Sequence, residues 1–104
     1  MNVSQLKADV ERWAGVLGVR PVRVRVQRMT QKWASCSTAG RVCLSSDLLR
    51  EERAFRDVVI VHELLHLMVP NHGKLFQSLL RSYLPSWDRV VAGRATKLCS
   101  YGGG

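Results

Sequence analysis

The three histidines of this 104-residue chain, His62, His66 and His72, lie within one short stretch. His62 and His66 are the ends of His62-Glu63-Leu64-Leu65-His66. In a helix that spacing puts both side chains on one face, one turn apart, where two imidazoles can grip a single ion. Glu63 falls about a hundred degrees round, from where its carboxylate can reach a water on the metal without being a ligand, as a general base must. A catalytic zinc site takes three protein ligands and keeps one position open, so a third ligand is expected from elsewhere. His72 is the candidate, because Pro70 ends the helix and Asn71 turns the chain back. Asp88 is the only carboxylate downstream of the motif. Its expected place in the first turn of a later helix explains it without metal.

Such a set predicts zinc-dependent hydrolysis of peptide bonds, with Zn2+ as cofactor and a peptide or protein as substrate. The metal would polarise the scissile carbonyl and its bound water, while Glu63 takes the water's proton and passes it to the leaving amine. The alternative from another class is a zinc-stabilised nucleic-acid- or protein-binding module without catalysis. Cys36 as a fourth ligand would favour it, since a closed site holds a fold together rather than activating water.

The elements that must position these residues are legible from periodicity. Val3, Leu6, Val10, Trp13, Ala14 and Leu17 recur at helical steps, predicting a helix from 3 to about 17 with Asn2 as cap and Gly18 as stop. Val22, Val24 and Val26 alternate with Arg23, Arg25 and Gln27, predicting a strand with its valines inward. Residues 33–38 and 41–45 read as two further strands joined at Ala39 and Gly40, giving an antiparallel meander. A polar, partly helical connection begins at Asp47 and Leu48. The motif helix is expected from about Ala54 to Val69. It is apolar on nearly every side, so His62 and Glu63 are expected to be desolvated, which is costly without a strong partner. Asn71 would cap a helix through Leu75, Phe76, Leu79, Leu80 and Tyr83. Pro85 and Ser86 would restart a last one running to about Lys97, followed by a flexible tail, SYGGG. One α+β domain over residues 1–104 is expected.

Composition bounds the setting. A formal charge of +8 from 16 Lys and Arg against 8 Asp and Glu should attract anionic partners, and weak nucleic-acid association through the basic surface is expected. The bases are scattered along the chain rather than gathered in one tract. Arg23 and Arg25 could contact phosphates, or could simply discourage edge pairing of their strand. Cys36, Cys43 and Cys99 make an odd count without CxxC spacing, which argues against a disulfide framework and for a reducing cytoplasm. The N-terminal segment lacks the apolar stretch of a signal peptide, and Val58 to Val69 is too short to span a bilayer. Tyr83, Arg89 and Arg94 lie where an oxyanion stabiliser could sit, with core or surface roles as the simpler explanation.

From Trp33 to Trp87 the chain resembles the YgjP-like metallopeptidases, relatives of the SprT-like zincins. Their pattern is a W-G-S-C strand motif, an apolar strand, HELxH, and then N-H followed by an aromatic. Here these are Trp33, Ala34, Ser35 and Cys36; Val42 to Leu44; His62 to His66; and Asn71, His72 and Phe76. The resemblance implies a small zincin-like fold, zinc held by the three histidines, and Glu63 as catalytic base. It also implies that the strand near Trp33 to Ser37 borders the cleft and pairs with extended substrate, although a plain structural strand fits as well. A DNA-associated SprT-like protease is a further possibility of this kind. Ala34 replaces the usual glycine, Ser45 a common asparagine, and Gln77 a favoured tryptophan, departures that bear on substrate contacts more than on metal binding. The spacing of His66 and His72 also occurs in metzincins, but Val69 stands where their glycine turns the chain.

Overall fold

The computed structural model describes residues 1–92 and, as backbone, residues 97–101. Helix α1 (Val3–Leu17) buries Leu6, Val10, Ala14 and Leu17 along one stripe. Its start is a reciprocal cap: the Gln5 amide donates to Asn2 Oδ1 at 2.9 Å, and the Asn2 amide donates to Gln5 Oε1 at 2.8 Å. Gly18, at φ 74, ends it in the left-handed conformation that glycine adopts without penalty.

The sheet contains β1 (Arg23–Gln27), β2 (Lys32–Cys36), β3 (Arg41–Ser45) and β4 (Lys97–Tyr101) in the order β1-β3-β2-β4. The α+β class stands, but the expected meander is a mixed sheet. β2 and β3 form an antiparallel hairpin, whereas β1 runs parallel to β3 and β4 parallel to β2. The link 28–31 carries the chain past the position that β3 then fills, so β1 never meets β2. β1 is consequently an edge strand. Val24 and Val26 are half-buried, but Val22 lies before the strand and is 73% exposed, contrary to the inward face expected of it.

A short 3-10 helix, Ser46–Arg50, leads to α2 (Arg53–Leu65), the centre of the molecule. α2 touches α1, α3 (Lys74–Tyr83), α4 (Trp87–Val91) and β2, and every residue from Val58 to Leu65 is buried. That explains a helix apolar all round. Trp13 Nε1 donates to Asp57 Oδ1 at 3.1 Å, fastening α1 to α2, and Trp33 packs edge-on against Phe55 at 4.9 Å, fastening β2. α2 stops earlier than expected. The amides of His66, Leu67 and Met68 bond to carbonyls three residues back, because Pro70 disfavours helical geometry at Val69 and the last turn tightens instead.

Two further expectations give way. Asn71 is not the cap of α3: its Oδ1 accepts the Gly73 amide at 3.0 Å, and Gly73 occupies the capping position. The last helix ends at Val91, and Lys97 to Tyr101, taken in the sequence as helix end and tail, pair with the edge that β2 exposes. Gly102 to Gly104 lie outside the described residues. Among the described residues no helix is long and apolar enough to cross a membrane.

Candidate metal centre

α2 carries His62 and His66 on one face at its C-terminal end, and the turn through Pro70 and Asn71 returns His72 to the same place. Ring centroids are separated by 5.2 Å for His62 and His66, 4.9 Å for His62 and His72, and 4.5 Å for His66 and His72. One ligand nitrogen from each lies within 4.8 Å of the others. Zinc–imidazole bonds of ~2.0–2.1 Å bring such nitrogens within ~4 Å of one another, so small side-chain rotations would complete the set. His62 and His66 are buried and His72 is exposed, giving the group an inner wall and an open side.

Burial explains the chemistry of the donors. Desolvation pushes the His62 imidazole down to about 3, with the neighbouring His66 and His72 adding to the effect. His66 is pushed down to about 4, again chiefly by burial and then by His72, against backbone hydrogen bonds to Val69 and Pro70 that act upward. Both rings are therefore neutral near pH 7, the form that offers a lone pair to a cation. Imidazole nitrogens suit zinc or a similar first-row ion.

α3 supports the group from below. Phe76, almost fully buried, lies 5.0 Å from His62, 4.8 Å from His66 and 4.9 Å from His72, so one aromatic ring floors all three imidazoles. The Gln77 side chain donates to the His72 carbonyl at 3.2 Å and holds the turn. A Cβ at Gly73 would come to 2.9 Å from Asn71 Oδ1, the end of an exposed side chain that could move aside. Periodicity marked Phe76 as an apolar helix position, and nothing in the spacing gave its role under the histidines. Gln77 registered only as a departure from the resembled pattern.

Glu63 is fully buried on α2, next to His62. Its charge acts on Cys36 of β2 and Cys43 of β3, so the carboxylate faces the sheet side of the site. Burial, then Glu63, pushes the Cys36 thiol up to about 11. Cys36 donates to the Ser37 carbonyl at 3.6 Å and does not join the ligand group, so the closure that would have favoured the binding-module alternative is not seen among the described residues. Asp88 is half-exposed in the first turn of α4 and pairs with Arg81 at 3.8 Å, outside the group. Tyr83 packs against the core, Arg89 is exposed, and Arg94 lies outside the described residues.

Comparison with known proteins adds a family. The sequence profile described as YgjP-like, metallopeptidase domain, matches residues 3–92. No curated protein matches the chain. Among solved structures, the metallopeptidase zymogen abylysin of Pyrococcus abyssi superposes with a TM-score of 0.73 at 20% identity, over 88% of this chain and 97% of that one. The zymogen jannalysin of Methanocaldococcus jannaschii also gives 0.73, at 25% identity, over 82% and 88%.

Proposed function

The chain belongs to the YgjP-like metallopeptidase domain family, and from that premise we propose that it is a zinc peptidase in which His62, His66 and His72 hold the ion and Glu63 is the general base. The observation that carries this reading is the convergence of three imidazoles, two of them buried and neutral, beside a buried carboxylate. Zinc, when bound, supplies Lewis acidity that lowers the pKa of water and polarises the scissile carbonyl. His62 and His66 present lone pairs without first losing a proton. Phe76 keeps the three rings from turning away. Glu63 accepts the proton of the attacking water and returns it to the leaving amine nitrogen, acting first as base and then as acid.

Glu63→Gln tests the assignment, because the amide keeps shape and polarity but cannot take the proton. Turnover of a peptide cleaved by the native chain should fall by at least ~100-fold, the usual contribution of general acid–base catalysis. Zinc content and thermal transition should stay unchanged. Undiminished turnover at equal zinc occupancy removes Glu63 from the mechanism.

The C-terminal strand bears on when this chemistry runs. An extended substrate adding to the sheet near the site would use the outer edge of β2. In this structure β4 pairs with that edge from Lys32 to Cys36. Both solved neighbours are zymogens. A latent state of this chain would be maintained by β4, which must leave before substrate can pair with β2.

A further inference from the structure

Away from the histidines, cations that are scattered in the sequence come together on the sheet. Arg23 and Arg25 of β1, Arg41 of β3 and Lys32 of β2 line an open groove of about 460 Å³ together with Ser35 and Ser37, and no carboxylate of the described residues lines it. The three arginines are exposed, and among the described residues none of them takes part in an ion pair. Arg23 stands directly opposite Arg41 in the β1–β3 register. Like charges facing each other across strands ~4.8 Å apart cost stability. Guarding an exposed edge accounts for Arg23 and Arg25 on β1. It does not account for Arg41, because β3 is paired on both sides. An anion laid along the groove removes that repulsion.

We propose that this face of the sheet binds the phosphodiester backbone of nucleic acid without sequence preference. Charge complementarity favours that occupant over an acidic peptide. Among the described residues the apolar lining is limited to Val42 and Cys36, both buried, and the half-buried Cys43, with no large apolar side chain to hold that of a peptide. A phosphodiester chain carries a charge on every unit and needs no such socket. Guanidinium forks take phosphate oxygens in pairs, and the Ser35 and Ser37 hydroxyls add neutral donors. Among the described residues no aromatic side chain lines the groove, so contacts to phosphate rather than to bases are expected.

The test is fluorescence anisotropy with a labelled mixed-sequence DNA single strand and its duplex, titrated at several salt concentrations. Four cations predict a slope of log K against log salt of about −3 on the single strand. In the triple variant Arg23→Gln, Arg25→Gln, Arg41→Gln the affinity at low salt should fall at least ~10-fold and the slope should shrink to about −1. A control with the same charge removed elsewhere, Lys7→Gln, Arg50→Gln, Arg89→Gln, should lose several-fold less. The thermal transition and zinc content report whether each variant folds. Should the triple variant fail to fold, Arg41→Gln alone should flatten the slope by about 0.7. Equal loss in the control, no binding of either DNA at low salt, or binding of poly-glutamate in place of DNA overturns the proposal. The peptidase reading is untouched by any of these outcomes.

Discussion

An imidazole taken out of water resists protonation, and a second imidazole beside it adds to that resistance. His62 and His66 are in that condition, which makes them poor proton carriers and ready ligands. His72 differs: it is exposed, and its place depends on the turn at Asn71, the Gln77 bond to its carbonyl and the Phe76 ring. As the proposed third donor it should govern how tightly zinc is held. His72→Ala should therefore weaken zinc affinity by at least ~100-fold, measured by competition with a chromogenic chelator. Asp88→Ala removes only the exposed pair with Arg81 and should leave zinc affinity within about twofold. The reverse order would make the carboxylate the third ligand.

At the level of elements, the local rules for α1 and the β2–β3 hairpin read well, the cap of α3 and the end of α2 less so, and long-range pairing not at all. The start and stop of α1 were legible because Asn2 and Gly18 act within a few residues of themselves. The hairpin β2–β3 was legible for the same reason, since its turn lies between two apolar runs. The two imidazoles of α2 and the reach of His72 followed from helix geometry and one proline. The parallel partners of β3 and β2 were not legible, because a strand's alternation says which face is buried and nothing about which neighbour it meets. Lys97 to Tyr101 carry no helix-breaking residue of their own, and only the free edge of β2 makes them a strand. A chain shortened after Ala92 should turn over peptide faster than the full chain at equal zinc content, and a synthetic peptide of residues 97–104 should inhibit it. Ser100→Pro, which removes a backbone donor from β4, should raise turnover in the same direction without shortening the chain. If none of the three changes the rate, β4 does not control access.

The whole molecule is small enough for a bound metal to matter to its stability. One ion would join α2 to the turn before α3, and a ligand that binds only the folded chain stabilises it in proportion to its affinity. Chelation near pH 7 should therefore lower the thermal midpoint by several degrees without erasing the transition, because the buried stripe of α1, the α2 run and the sheet persist without the ion. The chelated chain should then show an acid dependence of known sign. His62 and His66 bind protons in the unfolded chain near 6.5 but in the folded chain only near 3 and 4. Above pH 6.5 neither state is protonated and the pair adds no pH dependence. As pH falls below 6.5, the unfolded chain takes up protons that the folded chain refuses, so stability drops steadily until about pH 4 and then 3. Each unit of difference is worth ~1.4 kcal/mol, which for a chain of this length corresponds to several degrees in the midpoint. Acid also displaces zinc, since protons and the ion compete for the same nitrogens. The gap in midpoint between zinc-loaded and chelated samples should close over the same window. Calorimetric scans of both samples from pH 8 to pH 4 measure it, and a chelated chain whose midpoint stays level between pH 6.5 and pH 4 would show that the two histidines are not buried in their neutral form.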